Sequence, residues 1–464
     1  MLHRHLRPSA RMTRANGDPA LPAHARVLSE AWGRQHQRFA RGEETRLNTL
    51  HQVETNTVSK EEGTDRAFRD AMVDKLRDWG GVSTAPVEAA MRAVPRHVFV
   101  PSATLEQAYG PDSVVTHRDE NGTAISSASG TGVVAGMLEQ LDVQPGQRIL
   151  EIGAGTGYNA ALLAELVGPE GSVTTVDIGA DIVAGARRGL AAAGYGRVQV
   201  VHGDGAAGHP ENAPYDRIIV TAGAWDVPPA WREQLAPGGR LVVPLRMLGV
   251  TRSVALELDG AVWRSVSIDE CGFMPMRGPE AVAELNQELP VNSGVWIRVD
   301  DGHSVDADVL GAALTGAPAL VWSGVVVPWE PLAHLDFWLA GATAPICRVL
   351  VSDRAREAGL VDPIYPWGSM GCYTSNSFAY LVRRPAPSDT AQEMIELGAC
   401  AYGPTGEQLA GEVADRVRAW GAARACDELA GLRIEVHPVG ADDAPTAMIT
   451  ADKKHSRVFV TAGS

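Results

Sequence analysis

A glycine-rich turn carries the clearest chemical signal in this chain. Residues 150–158 read LEIGAGTGY, with an apolar run before them and a helical pattern of apolar residues after them. Glycines at alternate positions let the backbone turn tightly and approach a ligand without a Cβ in the way. The helix that follows offers unpaired backbone N–H groups and a partial positive charge. The turn therefore suits a nucleotide-sized ligand, although dinucleotide sites and plain strand-to-helix turns use the same residues.

Acidic residues after this turn help to distinguish these uses. Asp177 ends the next apolar run, at a distance from the glycines that suits hydrogen bonds to a ribose diol. Asp204 follows a third strand-like run, 198–201, where a third loop would bring it near an adenine. Two further strand-like runs, 215–221 and 235–244, complete the series. We expect an α/β fold with a nucleoside site at the carboxyl ends of parallel strands; the alternative is a sheet whose acids only cap helices.

The order and the residues of these motifs resemble those of the class I S-adenosylmethionine-dependent methyltransferases, and among them those of the protein-L-isoaspartate O-methyltransferase family. The similar segments span roughly residues 65 to 280 and are 94–101, 151–158, 203–216, 220–224, 235–244 and 273–278. The resemblance implies a Rossmann-like fold, S-adenosylmethionine as cofactor and S-adenosylhomocysteine as product. It assigns cofactor contacts to Glu151, Gly153, Ala154, Gly155, Thr156, Gly157, Tyr158, Asp177, Ile178, Gly203, Asp204, Gly205 and Thr221.

A serine-rich segment precedes the glycine turn. Where the family carries Ile-Ser followed two positions later by Pro, this chain reads SASGTG over 127–132. Ser129 is the positional match and is implied as the catalytic residue; Thr131 replaces the Pro, and Thr131 and Ala222 are expected to face the substrate. A shifted alignment would give the role of Ser129 to Ser126 or Ser127. The structural alternative is a flexible loop without a catalytic role.

The implied acceptor needs little chemical activation. A carboxyl group with a pKa of about 4 is already ionised near neutral pH, so its attack on a sulfonium methyl requires no general base. Positioning of the reacting atoms, which can reach effective molarities of roughly 10⁵ M, is then the main task. A hydroxyl such as that of Ser129 would orient the carboxylate rather than take a proton. An aspartyl methyl ester would afterwards close to a succinimide, which water opens to aspartate or isoaspartate.

Composition argues against several classes of function. The 464-residue chain has a formal net charge of −15, which argues against nucleic acid as a main partner because binding phosphates needs clustered cations. No apolar run reaches about 18 residues, so no membrane span is expected. Its five cysteines are far apart and form no Cys-x-x-Cys pair, which favours a reduced cytoplasmic protein without a metal site. The sequence predicts no particular oligomeric state.

The chain divides into three predicted parts. Residues 1–64 form a basic, partly disordered extension, whose first 50 residues contain nine Arg and no Lys, with a possible helix at 25–41. Residues 65–279 form the methyltransferase domain, opened by a helix at 67–79. Residues 280–464 form a mixed α/β accessory domain. Its predicted elements are strands at 295–299, 319–327, 377–382, 433–439 and 456–461 and a helix at 404–422.

Aromatic residues are concentrated in one part of the accessory domain. They are Trp322, Trp329, Phe337, Trp338, Tyr365, Trp367 and Tyr373. Most are expected to pack in the core; the alternative is a peptide-recognition groove, because aromatic anchors dominate binding energy at interfaces. The late segment Lys453-Lys454-His455 is predicted to be a polar turn, and at most a contact for an acidic peptide.

This chain combines a methyltransferase core with a large C-terminal extension. In that arrangement it resembles the methyltransferases associated with the biosynthesis of ribosomally made, post-translationally modified peptides, notably lanthipeptides. That resemblance implies methylation of an aspartyl carboxylate in a modified precursor peptide, which is the function we expect first. The alternatives are an isoaspartate repair methyltransferase and a noncatalytic peptide-binding scaffold. Both the altered serine segment and the extension favour the first hypothesis over repair, while the intact acidic residues argue against the scaffold.

Overall fold

The computed structural model describes most of the chain from residue 61 onward. The described ranges are 61–120, 122–282, 285–290, 292–300, 304–329, 332–341, 345–365, 368–387, 393–425, 431–441 and 445–462. The predicted helix at 25–41, nearly all of the basic extension, Trp367 and Cys426 lie outside these ranges.

Helices and strands alternate over the first half of the chain, as the sequence predicts. In order they are α1 (Glu61–Asp78), α2 (Ala85–Ala93), α3 (Leu105–Ala108), β1 (Val114–Arg118), β2 (Ala124–Ala128), α4 (Thr131–Leu141), β3 (Arg148–Ile152), α5 (Tyr158–Val167), β4 (Ser172–Asp177), α6 (Ala180–Ala192), β5 (Gln199–His202), β6 (Tyr215–Val220), α7 (Pro229–Gln234), β7 (Leu235–Met247), β8 (Val250–Asp259) and β9 (Val262–Glu270).

Strands dominate the second half. In order the elements are β10 (Leu285–Glu288), β11 (Val295–Val299), α8 (Ala307–Ala313), β12 (Ala319–Pro328), α9 (Ala333–Ala340), β13 (Ile346–Val351), α10 (Asp353–Glu357), β14 (Ser369–Tyr373), β15 (Phe378–Ala386), β16 (Met394–Tyr402), α11 (Gly406–Ala425), β17 (Arg433–Pro438), β18 (Ile449–Asp452) and β19 (Ser456–Thr461). No helix within the described ranges is long and apolar enough to cross a membrane.

The first sheet has the arrangement of a class I methyltransferase. Five parallel strands lie in the order β5-β4-β3-β6-β7, and β8 and β9 extend the sheet in antiparallel fashion. Ile152 at the end of β3 lies beside Val176 of β4 and Val220 of β6. The carboxyl ends of these central strands therefore meet at one edge of the sheet, where ligands bind in open α/β folds. The predicted fold class is confirmed.

The last three strands return to this first sheet. β17 pairs with β9 through Val436 beside Trp263, and β19 and β18 follow at the edge. We expected everything from residue 280 onward to form a separate domain; these strands depart from that division. Their pairing covers the outer edge of β9, whose backbone N–H and C=O groups would otherwise lack partners.

A second sheet contains seven antiparallel strands in the order β10-β11-β13-β14-β15-β16-β12. Helix α11 packs against it, and one apolar face of this helix is buried through Leu409, Val413, Val417 and Trp420. Phe337 and Tyr365 are buried as well, and Tyr365 stacks on Trp329. Most of the clustered aromatic residues within the described ranges are therefore part of the core and do not line an open groove.

Buried charges join the two sheets. Asp336 of α9 lies between two arginines, with its Oδ2 3.0 Å from Arg348 Nη2 on β13 and 3.6 Å from Arg252 Nη2 on β8. Arg252 also lies 3.6 Å from Glu270 Oε1 at the end of β9. The side chains of the three central residues are at most 10% exposed. Removing one member of such a group leaves its partners charged and without water.

We expect Asp336→Ala to lower the free energy of unfolding by about 3–5 kcal/mol, because two buried guanidinium groups lose their shared carboxylate. Denaturant titration monitored by fluorescence measures the change. Asp362→Ala is the matched control, since Asp362 pairs with Arg356 while 76% exposed, and solvated ion pairs contribute little. Equal losses in the two variants would contradict a structural role for the buried group.

Candidate active site

The glycine turn adopts a backbone that only glycine tolerates well. Gly153, Gly155 and Gly157 have φ angles of +103°, +51° and +88°, a region that side chains with a Cβ rarely enter. A Cβ on Gly153 would lie 2.6 Å from Thr221 Oγ1, and one on Gly157 would lie 3.2 Å from the carbonyl oxygen of Ala186. The turn therefore requires glycine both for its conformation and for the close approach of neighbouring elements.

Glu151 is a buried carboxyl group directly before this turn. Its two oxygens accept hydrogen bonds from Asn159 Nδ2 at 2.8 Å and Thr175 Oγ1 at 2.6 Å. Burial raises the pKa of Glu151 to about 7, aided by the nearby charge of Asp177, although both hydrogen bonds act in the opposite direction. Glu151 therefore changes its charge near neutral pH, in a position that lines the cavity described below.

Asp177 connects the ends of β3 and β4. Its Oδ2 accepts a hydrogen bond from the backbone N–H of Gly155 at 3.1 Å, and its Oδ1 accepts one from Gly179 at 2.9 Å. Arg277 Nη2 lies 3.9 Å from the same Oδ1. Since each carboxylate oxygen accepts about two hydrogen bonds, Asp177 keeps capacity for a ligand.

A cavity of about 220 Å³ opens at this edge of the sheet. Among the predicted site residues, those that line it are Ser129, Glu151, Gly153, Ala154, Gly155, Thr156, Tyr158, Asp177, Ile178, Gly205, Thr221 and Ala222. Ser126 and Ser127, the alternatives to Ser129, line the same cavity. The carboxyl ends of β3, β4 and β6 thus contribute to one site together with the serine segment.

Four predicted site residues do not line the cavity: Thr131, Gly157, Gly203 and Asp204. The Asp204 carboxylate caps a short 3-10 turn by accepting a hydrogen bond from Ala206 N at 3.0 Å. Thr131 begins α4, is only 2% exposed and donates a hydrogen bond to Gly110 O at 3.4 Å. Asp204 and Thr131, the two polar side chains among the four, thus each make a hydrogen bond to a nearby backbone group.

Arg96 holds the serine segment in place, a role the sequence did not reveal. The side chain is fully buried, and its Nη2 donates hydrogen bonds to the carbonyl oxygens of Ser129 at 2.7 Å and Ala128 at 3.4 Å. Its Nε donates to Ala108 O at 2.7 Å, and the guanidinium lies over the ring of Tyr158. Arg96 thereby joins the serine segment to the helix that follows the glycine turn.

A further wall of the cavity comes from residues 272–277, which the sequence did not assign to the site. Gly223 donates a backbone hydrogen bond to Met274 O at 2.8 Å and accepts one from Met276 N at 2.9 Å. These bonds fix the segment beside Ala222. In the sequence, this segment was marked only by its resemblance to the family at residues 273–278. The spacing of its residues does not indicate a ligand contact.

The turn between β18 and β19 contacts the segments that follow Ala222 and Arg277, two residues of the cavity wall. The Asp226 carboxylate, four residues after Ala222, accepts hydrogen bonds from His455 N at 2.6 Å and Ser456 Oγ at 2.5 Å. Glu280, three residues after Arg277, pairs with Lys454 Nζ at 2.7 Å and His455 Nε2 at 3.1 Å. Lys453 Nζ lies 3.3 Å from the centre of the Trp225 ring. We call residues 453–455 the C-terminal turn; it links the segment after β6 to the segment after the cavity wall.

Known proteins similar to this chain match the region that builds the cavity. The sequence model of the protein-L-isoaspartate (D-aspartate) O-methyltransferase family matches residues 67–277. The protein-L-isoaspartate O-methyltransferase of Methanopyrus kandleri is 40% identical over 230 residues, which is 49% of this chain and 99% of that protein. The Aeropyrum pernix enzyme of the same name is 41% identical over 222 residues, 47% of this chain and 83% of that enzyme.

The chain belongs to the protein-L-isoaspartate O-methyltransferase family. It is accordingly an S-adenosylmethionine-dependent protein carboxyl O-methyltransferase. A solved structure titled protein-L-isoaspartate O-methyltransferase covers 85% of this chain and all of its own, at 20% identity and a TM-score of 0.46.

The residues of this methyltransferase fit the family's cofactor. Gly155 leaves space next to the backbone, since a Cβ there would lie 3.6 Å from its nearest neighbour, Ser127 O, and the following helix α5 directs its first N–H groups toward the turn. Asp177 offers carboxylate oxygens suited to ribose hydroxyls, which are hydrogen-bond donors. We propose that Asp177 and the glycine turn hold the nucleoside part of S-adenosylmethionine.

We expect Asp177→Ala to weaken binding of S-adenosylhomocysteine by about 1.5–3 kcal/mol for each hydrogen bond lost to the charged carboxylate. Asp204→Ala should have a smaller effect, because Asp204 caps a turn and does not line the cavity. Isothermal titration calorimetry on folded variants measures both. Unchanged affinity in Asp177→Ala would remove this residue from the cofactor site.

Proposed function

We propose that this protein methylates the free carboxylate of an isoaspartyl residue in a protein or peptide. The observation that carries the proposal is the match of the cavity-forming region, 67–277, to a family whose similar members are named protein-L-isoaspartate O-methyltransferases. The sequence alone favoured an aspartyl side chain of a modified peptide as acceptor. The similar proteins support the isoaspartyl acceptor better, because their names specify it.

The chain's own residues would act by positioning. The bound cofactor supplies the methyl group. Ser129 lines the cavity at the end of the serine segment, where its hydroxyl can donate a hydrogen bond to one oxygen of the acceptor. Arg96 fixes the backbone of that residue, so the hydroxyl keeps its place when the acceptor enters. No side chain needs to remove a proton, since the acceptor is ionised above a pH of about 4.

The methyl ester formed in this way is an activated acyl group. The backbone amide that follows it can displace methanol and close a succinimide, and water then opens the ring to aspartate or isoaspartate. These later steps need no residue of the protein. Repeated methylation of the isoaspartyl product would progressively convert it to aspartate.

A second acceptor is favoured by one structural observation. The C-terminal turn contacts the segments that follow Ala222 and Arg277, both on the cavity wall. This turn lies beyond the region matched by the family. We propose that residues 280–464 act as an accessory region beside the methyltransferase region 65–279. In that role they would restrict the acceptor to an aspartyl residue of a ribosomally made modified peptide of the lanthipeptide kind.

Competition between acceptors distinguishes the two proposals. We expect the full-length protein to methylate a linear isoaspartyl peptide with a kcat/KM at least about tenfold above that for the matching aspartyl peptide, linear or cyclised, which corresponds to about 1.4 kcal/mol in barrier height. Mass spectrometry follows the added CH₂ of the ester and then the loss of water in the succinimide. A preference for the cyclised aspartyl peptide would instead support the second acceptor.

Ser129→Ala should lower the rate of methyl transfer far more than it changes the affinity for S-adenosylhomocysteine, because its hydroxyl is proposed to act on the acceptor. Ser126→Ala is the matched control: Ser126 is buried, and its hydroxyl oxygen accepts a hydrogen bond from Thr116 at 3.4 Å. Single-turnover kinetics and calorimetry separate the two effects. Full activity in Ser129→Ala, with loss of activity in Ser126→Ala or Ser127→Ala, would assign the orienting role to another serine.

A further inference from the structure

Among the described residues that line it, the cavity contains two carboxyl groups and one cation. Glu151 and Asp177 are the carboxyl groups, and Arg277 is the cation. An acceptor for carboxyl methylation enters as an anion, so both acidic side chains repel it whenever they are ionised. The guanidinium of Arg277 is permanently charged. It is therefore the side chain on the cavity wall that can offset this repulsion at every working pH.

The backbone of Arg277 is held while its side chain remains accessible. Met276, the preceding residue, is bound to Gly223, and a Cβ on the following Gly278 would lie 3.1 Å from Ile178 Cδ1 and 3.2 Å from Asp204 Oδ1. The Arg277 side chain is nevertheless 40% exposed. The backbone of Arg277 is thus fixed by its neighbours, whereas its guanidinium can turn toward the cavity.

Arg277 also has capacity for a ligand. Its ion pair within the described ranges is the 3.9 Å contact with Asp177 Oδ1, which is longer than a hydrogen bond. Asp177 already accepts hydrogen bonds from Gly155 and Gly179. The five N–H donors of a guanidinium match the two oxygens of a carboxylate, so an acceptor carboxylate would be a better partner than Asp177.

We propose that Arg277 is a specificity-determining residue that binds the acceptor carboxylate of the protein or peptide substrate. One oxygen of this carboxylate attacks the sulfonium methyl carbon; the O–C bond forms as the C–S bond breaks, and the bonding pair of electrons stays on sulfur. The carboxylate becomes a neutral ester, and Arg277 keeps its proton throughout. The inference rests on the proposed use of this cavity by a carboxylate acceptor, whether isoaspartyl or aspartyl.

This charge change gives the proposal a kinetic signature. Arg277 binds the anionic substrate more tightly than the transition state, in which the negative charge is already shared, and more tightly than the neutral ester. Interactions that stabilise the bound substrate lower KM without raising kcat. Loss of Arg277 should therefore raise the KM for the acceptor, leave kcat unchanged or somewhat higher, and leave binding of a neutral peptide unaffected.

The test compares the full-length wild-type protein with the variants Arg277→Met and Arg277→Lys. The control variant is Arg188→Met, because Arg188 is an exposed arginine of α6 that does not line the cavity. We expect Arg277→Met to raise the KM of an isoaspartyl peptide at least about tenfold, as for removal of one partner from a charged pair. Arg277→Lys should restore part of the loss, because it keeps the charge but not the bidentate geometry. The control should match the wild type.

Two binding measurements separate this role from others. The inhibition constant of the methyl-ester peptide, which is neutral at the acceptor, should be the same in wild type and Arg277→Met, and so should the Kd of S-adenosylhomocysteine. The proposal is overturned by an unchanged KM for the isoaspartyl peptide, by an equal loss of ester-peptide binding, or by weaker S-adenosylhomocysteine binding with unchanged peptide KM. The last result would place Arg277 on the cofactor. Absence of peptide methylation in the wild type would instead count against the proposed function.

Discussion

The register of three parallel strands determines the positions of the glycine turn, Asp177 and Thr221 in the cavity. Because β3 ends level with β4 and β6, the glycine turn, Asp177 and Thr221 meet at one point. There the N–H of Gly155 binds the Asp177 carboxylate, and the Thr221 hydroxyl donates to the carbonyl oxygen of Gly153 at 2.7 Å. A slip of one residue in either pair would turn alternate side chains to the opposite face of the sheet, and these bonds would be lost.

Groups outside the sheet complete the walls of the cavity. One of them, Arg96, is a cation removed from water, which costs free energy of desolvation. Arg96 is buried beneath the serine segment, and burial lowers its pKa. Its hydrogen bonds to three carbonyl oxygens and its position over Tyr158 offset that cost. A buried cation of this kind holds a loop more firmly than apolar packing would, because movement of the loop leaves the charge without partners.

The sequence predicted the parts of this structure that depend on local patterns. Apolar runs identified the five parallel strands, and the glycine spacing identified a tight turn between β3 and α5. Contacts between distant segments could not be predicted, because the pattern of a strand such as β17 is the same whichever strand it joins, and β9 lies about 170 residues earlier. Asp204 and Thr131 were predicted as site residues from their places in the family's motifs, and their hydrogen bonds to nearby backbone groups could not be predicted from those motifs.

The distribution of contacts indicates where the second half of the chain can influence methylation. Within the described part of the chain, no cavity-lining residue lies beyond Arg277, and the Methanopyrus kandleri relative is matched over 99% of its length by about half of this chain. The later half contacts the surroundings of the site through the C-terminal turn, which binds Asp226 and Glu280. These two residues follow the cavity walls formed by Ala222 and by residues 272–277. Neither wall includes the glycine turn or Asp177. We therefore expect changes in the C-terminal turn to affect the walls at Ala222 and residues 272–277 while the groups proposed to hold the cofactor stay in place.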